Sequence, residues 1–179
     1  RPQAGYREAF IDAKGEQTVT IEGITFTSRM LRKNLEQAER VFAYLVTCGR
    51  ELDEVAPSND DLLTAFWWDL IKGEFLAVAV QHLTEHLDRK HLLPQTSTMH
   101  PGSGDAAVWP IEQQRELFAL LGDIPARIGV ELTDTYLMIP NKTVSGIRFP
   151  TEDSFRSCQV CRRTVCPNRS AAFDEALWA

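Results

Sequence analysis

The feature that most constrains the fold is an unbroken run of apolar, β-favouring residues, Val41–Thr47. A strand that is apolar at every position is typical of a strand buried on both faces. Such a strand needs a sheet with other elements packed on each side, so the run predicts a central strand in a layered domain. The Cys48-Gly49 pair ends it. A chain of 179 residues can build such a domain, since a chain of this size buries roughly 70% of its unfolded surface.

The segments before the long helix predict strands and one short helix. Alternation of apolar and polar residues over Thr18–Phe26 predicts β structure, and its phase changes at Gly23, where we expect a bulge or tight turn. Ser28 can cap a following helix that places Leu31 and Leu35 on one face.

The later segments predict two helices and a second group of strands. Helical spacing of apolar residues begins after Ser58 and continues to Leu92. A loop spans Pro94–Trp109, and Pro110 begins a helix that Gly122 ends. Strands are predicted at residues 128–132, 137–139 and 144–149. Strands at both ends with helices between them indicate an α+β fold, which we expect to contain an antiparallel sheet.

Composition divides the chain into two parts and excludes some partners. We expect an α+β domain over residues 1–150 and a Cys-rich, metal-binding C-terminal appendage over residues 151–179.

Nineteen Lys and Arg against 25 Asp and Glu give a net charge of −6, which argues against nucleic-acid binding. No apolar stretch approaches the roughly 20 residues that cross a bilayer, and the polar residues 1–10 do not resemble a signal peptide. A cytoplasmic protein is expected.

Three cysteines within nine residues are the strongest chemical signal, at Cys158, Cys161 and Cys166. Two thiols separated by two residues can face one ion, and a third thiol close by can complete the site. We therefore predict an iron–sulfur cluster, with [4Fe–4S] favoured, or a zinc ion. Free thiols or a disulfide are the alternatives. Cys48 is the candidate fourth ligand, although a buried cysteine more often serves as a small apolar residue.

A second pattern lies in the long helix, where His82, Glu85 and His86 match the inverted zinc-protease arrangement. A match of three fixed positions arises often by chance, and the surrounding residues are those of a solvated helix face. Surface histidines are the favoured interpretation. A glycine-containing loop, Met99–Asp105, has the composition of a ligand-contacting turn, with an ordinary surface turn as the alternative.

Several segments together resemble the activation domain of cobalamin-dependent methionine synthase, in a short stand-alone form with a Cys-rich tail. The most specific are Leu132–Pro140 (LTDTYLMIP) and Thr143–Phe149 (TVSGIRF). The Pro101-Gly102 loop leading into Trp109-Pro110 sits where the family has its Arg-x-x-Pro-Gly-Tyr loop. The resemblance covers about residues 21–169.

The resemblance implies a domain that docks over a corrinoid and supports its reduction and remethylation by S-adenosylmethionine. Thr98 and Ser103 stand at the positions of the family's Arg and Tyr, so we predict weak or absent S-adenosylmethionine binding. The implied ligand and corrinoid face consists of Met99, His100, Pro101, Gly102, Ser103, Asp105, Tyr136, Met138, Thr143, Ser145 and Gly146.

The leading interpretation is an accessory protein that works with a corrinoid protein or corrinoid methyltransferase, cobalamin being the partner's cofactor. The tail centre could deliver an electron to cobalt, because cluster potentials can reach about −700 mV. The runner-up is a non-enzymatic binding module with a structural zinc knot. A zinc metalloprotease acting through His82, Glu85 and His86 is third. The sequence leaves open whether the chain is itself an enzyme, and its oligomeric state.

Overall fold

The computed structural model describes residues 1–55, 61–105, 107–152, 155–167 and 169–178. Their strands are β1 (Gln3–Lys14), β2 (Thr18–Ile21), β3 (Ile24–Thr27), β4 (Arg40–Thr47), β5 (Thr96–Met99), β6 (Glu131–Leu132), β7 (Met138–Ile139) and β8 (Thr143–Pro150). Their α-helices are α1 (Arg29–Asn34), α2 (Glu51–Glu54), α3 (Leu62–His91), α4 (Gln114–Leu121) and α5 (Ile124–Arg127). Short 3₁₀ turns occupy Ile111–Gln113, Ser157–Val160 and Glu175–Trp178.

The main sheet has six strands in the order β3-β2-β1-β4-β8-β5. Every neighbouring pair is antiparallel. Strands β6 and β7 form a separate two-stranded hairpin. The α+β fold with an antiparallel sheet, expected from the sequence, is therefore confirmed.

Strand β4 lies inside the sheet and separates two apolar cores. Val41 and Leu45 belong to the larger core, which includes residues of α1 and α4. The alternate side chains Phe42 and Val46 belong to the smaller core, which includes Leu83 of α3. Because successive side chains point to opposite faces of a strand, an all-apolar strand fills both cores. The interpretation of Val41–Thr47 as a strand buried on both faces is confirmed.

Helix α3 is the longest element, and only its second half packs closely on the sheet. The Asp61 carboxylate caps its first turn by accepting a hydrogen bond from Leu63 N at 3.0 Å. The predicted cap, Ser58, lies outside the described residues. Leu83 and Leu87 are buried against the sheet, whereas Leu62 at the other end is 85% exposed. Within the described part of the chain, no helix is long and apolar enough to cross a membrane.

Two local predictions are wrong. Strand β5 lies inside the segment expected to be a loop. Its Ser and Thr residues show no alternation of apolar and polar side chains, so the sequence pattern did not indicate a strand there. The strand expected over residues 128–132 is reduced to β6, and the short helix α5 precedes it. Pro125 occupies the first turn of α5, where its missing N–H costs nothing.

The described part of the predicted appendage packs against the domain. Phe155 and Val160 are 8% and 0% exposed and belong to the larger core. The backbone N–H of Phe155 donates to the Ser97 hydroxyl at 3.0 Å, which fixes this segment beside the edge strand β5.

Candidate functional site

The segment after β5 and the middle of β8 meet at His100. Met99 is paired with Ile147 in the β5–β8 ladder. The His100 Nδ1–H donates to the Ser145 carbonyl oxygen at 2.8 Å. The ring also lies edge-on to Tyr44, with centroids 6.1 Å apart. Two of the segments predicted to form one face are thus adjacent in the structure.

Gly146 makes this close approach possible. A Cβ atom at this position would lie 2.7 Å from His100 Nδ1 and 2.7 Å from the Met99 carbonyl oxygen. Real Cβ atoms do not tolerate such distances, so a glycine is required where the histidine crosses the strand.

The loop that follows His100 is held by its own backbone. Gly102 has a positive φ of 77°, a conformation that favours glycine, and its N–H donates to Trp109 O at 2.8 Å. Ser103 N donates to His100 O at 3.2 Å. The Asp105 carboxylate accepts from Ala107 N at 3.0 Å. The buried side chain of Pro101 anchors the start of the loop.

A cavity of about 590 Å³ lies between α3 and the sheet next to His100. Its sheet side consists of Tyr44, Thr98, His100, Val144 and Arg148, and its helix side includes Leu76, Val80 and Leu87. Burial raises the pKa of the Tyr44 phenol and lowers the pKa of the His100 imidazole, so both groups are neutral at pH 7. This size and this mixture of apolar and polar walls suit a small ligand or a side chain of a partner.

Arg148 supplies the positive charge of this cavity. Its Nη2 donates to both Asp88 carboxylate oxygens, at 2.8 and 3.0 Å. Its Nε is buried and has no hydrogen-bond partner among the described residues. Sequence reasoning did not select Arg148, although a lone cation in an otherwise apolar strand was a signal that could have indicated it.

The other predicted face residues are distributed more widely. Ser145 points away from the cavity, and its hydroxyl donates to the Gln114 side-chain oxygen at 2.8 Å. At the start of β8, the Thr143 hydroxyl donates to Pro140 O at 2.7 Å and lies 3.0 Å from the Thr47 hydroxyl, whose hydrogen can complete that second bond. Met138 packs against the larger core. Tyr136 lies under the Arg115 guanidinium, 4.9 Å from the ring centroid.

The tail brings its cysteines near the same loop. A Cβ atom at Gly104 would lie 3.2 Å from Ser157 O and 4.0 Å from Cys161 Cβ. Cys158, Cys161 and Cys166 are all free thiols that are partly exposed. Hydrogen bonds from the Ser170 hydroxyl and backbone N–H lower the pKa of Cys158.

Arg169 organises the backbone around these thiols. Its guanidinium donates to the carbonyl oxygens of Cys158, at 3.1 Å, and of Cys161, at 3.3 Å. It also donates to the carbonyl oxygens of Ala171 and Arg163. One planar guanidinium therefore hydrogen-bonds to carbonyl oxygens from several turns of the tail and holds those turns together.

The thiols are not arranged as a metal-ligand set. Among the described residues, which include all four cysteines, no three His, Cys, Asp or Glu side chains come together as ligands of one ion. Cys48 is buried beside Lys142, whose carbonyl accepts from its backbone N–H at 3.0 Å. The described contacts of Cys48 are with its own strand end and not with the tail. The residues as placed do not fit a metal centre.

The histidines of α3 lie elsewhere. His82 and His86 border a pocket formed with Pro2 and with Ala4 and Tyr6 of β1. Glu85 is exposed and accepts a hydrogen bond from Gln81 at 2.9 Å. No third metal ligand joins them within the described ranges, so the metalloprotease interpretation gains no support.

The fold and the loop at His100 define a mixed α+β domain with a ligand-sized cavity between α3 and its sheet. The sequence model of the family described as "Vitamin B12 dependent methionine synthase, activation domain" matches residues 80–162. This match spans the second half of α3, the His100 loop and β8. It confirms the resemblance that the sequence motifs indicated.

One solved structure, described as "Crystal Structure of the MetH Reactivation Domain bound to AdoHcy", has the same fold with a TM-score of 0.69. The two chains are 16% identical, and the likeness covers 87% of this chain and 60% of the other. This chain thus spans less than two thirds of that structure. A search of curated proteins gives no match.

Proposed function

We propose that this protein is a corrinoid-associated accessory protein that supports reductive reactivation or methyl transfer of a partner's cobalamin. The observation that carries the proposal is the family match over residues 80–162, because it includes the segments that meet around His100. Corrinoid proteins and corrinoid methyltransferases are the partner class.

The proposed docking face is the Met99–Asp105 loop together with the Met138–Phe149 segment that it meets. Gly102 and Gly104 are exposed and have positive φ angles of 77° and 89°, so the tip of the loop presents backbone to a docking macrocycle. The His100 ring fixes the base of the loop to β8 through Ser145. A rigid base with an exposed loop above it is the usual arrangement of a binding site.

Hydrogen exchange with a corrinoid protein from the same organism tests this proposal. We expect protection of amides in residues 99–105 and 138–149, and little change in α3. Ser103→Trp, which fills the loop surface, should abolish that protection, whereas Leu92→Trp at a distant exposed site should leave it intact. Protection confined to the part of α3 around His82 and His86 would contradict corrinoid docking and favour the metal-hydrolase alternative.

We also propose that this chain binds S-adenosylmethionine weakly or not at all. The support is the absence of the family's Arg and Tyr at Thr98 and Ser103. The related solved structure holds AdoHcy, so the departure concerns the ligand chemistry of this chain and leaves the shared fold unchanged.

The Cys-rich tail remains a proposed metal site, with an iron–sulfur cluster, [4Fe–4S] favoured, or zinc as the occupant. The close spacing of Cys158, Cys161 and Cys166 and the lowered pKa of Cys158 support it. Binding would have to draw the three thiols together, since they do not form a ligand set as placed. The fourth ligand, Cys48, stays a prediction.

Metal and sulfide analysis of protein purified without oxygen separates the two candidate roles. Stoichiometric iron and sulfide with visible absorption would support a redox role beside the corrinoid. Zinc in a colourless protein would support the alternative, a non-enzymatic binding module with a structural zinc knot. Replacement of Cys158, Cys161 or Cys166 by Ser should remove the metal, while Cys48→Ser tests the fourth ligand. Full occupancy in all three tail variants would contradict the tail site.

A further inference from the structure

The first half of α3 carries an exposed apolar stripe on the side facing away from the sheet. The α3 stripe begins at Leu62, ends at Val78 and includes Phe66, Trp67, Leu70 and Phe75. These side chains are 43% to 85% exposed. So many exposed large apolar side chains along one half of a helix are typical of an interaction site.

Polar contacts on the opposite side fix the direction in which the stripe points. Trp68 Nε1 donates to Leu52 O at 2.9 Å. Lys72 pairs with Asp53 at 2.9 Å, and Asp69 pairs with Lys142, also at 2.9 Å. The inner side of this half-helix is thus attached to its own domain, so the stripe cannot be buried by a simple rotation of α3.

The same helix becomes polar on its outer side immediately after the stripe. At helical spacing beyond Val78, the outward positions are Gln81, Glu85 and Arg89, all exposed. A surface helix normally has this polar outer side. The apolar outer side of the first half is therefore a local property of residues 62–78, which indicates a partner that covers this half alone.

The size of the stripe matches one side of a stable protein interface. Side chains of these sizes, about half exposed, present on the order of 800 Å², which is what each partner contributes to a standard interface. From Leu62 to Val80 the only charged residues are Asp69, Lys72 and Glu74. The first two are paired within the chain, so two such surfaces could meet with little charge repulsion.

The stripe is also complementary to itself. In an antiparallel pair with its two-fold axis near Leu70, Leu62 lies across from Val78 of the second copy, and Trp67 lies near Glu74 of that copy. Trp67 carries an indole N–H donor and Glu74 a carboxylate acceptor, so one can donate to the other across the pair. Isologous contacts of this kind are what a two-fold dimer requires.

We propose that two copies of this chain associate through their α3 stripes as an antiparallel helix pair about a two-fold axis near Leu70. This inference does not depend on the corrinoid role, because the stripe ends at Val78, outside the His100 loop and outside the family match over residues 80–162.

Sedimentation velocity of the full chain between about 1 and 100 µM tests the dimer. We expect wild type to dimerise. Leu70→Lys and Leu70→Glu should each raise the dissociation constant about 100-fold, because like charges would face each other at the axis. An equimolar mixture of the two variants should dimerise again. Leu92→Lys and Leu92→Glu, at a residue 86% exposed outside the stripe, serve as matched controls and should behave as wild type.

The helix direction has its own test. A mixture of Leu62→Lys with Val78→Glu should associate more tightly than a mixture of Leu62→Lys with Leu62→Glu. A wild-type chain that stays monomeric at the highest concentration would overturn the proposal, as would control variants that dissociate as readily as the Leu70 variants. Preference for the second mixture would overturn the antiparallel arrangement. Unfolding midpoints of each variant separate loss of association from loss of folding.

Discussion

At the scale of single residues, Thr98 of β5 is the position at which we propose that this chain departs from the Arg of the family's loop. Thr98 lies directly across the β5–β8 pair from Arg148. The cavity therefore contains a guanidinium on the neighbouring strand, but Asp88 already neutralises it with two hydrogen bonds. A ligand carboxylate would have to displace this intramolecular pair.

We expect calorimetric titration with S-adenosylmethionine to show no binding in the low micromolar range. Loss of one charge-assisted hydrogen bond to a carboxylate costs roughly 1.5–3 kcal/mol, or about 10- to 100-fold in affinity. Arg148→Met is the matched variant, and its titration should show the same lack of binding as the titration of wild type. Tight binding that disappears in Arg148→Met would show instead that Arg148 supplies the contact Thr98 lacks.

Replacement of glycine by alanine should change the free energy of unfolding in opposite directions at two positions. Gly146→Ala should lower the free energy of unfolding by roughly 1–3 kcal/mol, because its Cβ would overlap His100 and Met99. Gly73→Ala, in the interior of α3 with no atom within 4 Å of the new Cβ, should raise that free energy by up to about 1 kcal/mol. Urea unfolding measures both. Equal midpoints for Gly146→Ala and wild type would contradict the close contact with His100.

At the scale of elements, the local sequence predicted an element correctly where the residue pattern of that element alone determines its structure. The all-apolar strand β4, the β2–β3 turn at Gly23 and the end of α4 at Gly122 follow from alternation, burial and glycine conformation. The long helix was also predicted, although its described cap is Asp61.

The elements that sequence missed depend on distant partners. Strand β5 is polar and forms because β8 pairs with one edge and the tail approaches its buried Ser97. The Arg148–Asp88 pair joins residues 60 positions apart, so no local window contains both. The candidate site was predicted as a loop, whereas its helix side comes from α3.

The tail offers an element-scale prediction through Arg169. Arg169→Lys should speed hydrogen exchange and proteolytic cleavage over residues 158–171, since a lysine cannot reproduce the planar fork that contacts several carbonyls. Arg163→Lys removes a single described side-chain bond, to Val165 O, and is the control. Unchanged exchange in Arg169→Lys would mean that the tail holds its shape by other contacts.

At the scale of the whole molecule, the tail and the domain share one core. Phe155→Ala should lower the global free energy of unfolding by about 3–5 kcal/mol, because it removes a side chain buried among core residues. Phe173→Ala, at a tail position 43% exposed, should cost much less. Thermal unfolding followed by far-ultraviolet circular dichroism compares them. A thermal unfolding midpoint for Phe155→Ala equal to that of wild type would show that the tail does not contribute to the stability of the domain.

The position of β8 between β4 and β5 has a consequence for biosynthesis. Thr143 and Thr47, which hydrogen-bond across the β4–β8 pair, are 96 residues apart. A ribosome adds roughly 5–20 residues per second, so the apolar strand β4 waits on the order of 5–20 seconds before its second neighbour exists. An unpaired apolar edge is prone to aggregation during that interval. Slower translation should therefore reduce the soluble yield of this chain more than its final stability would suggest.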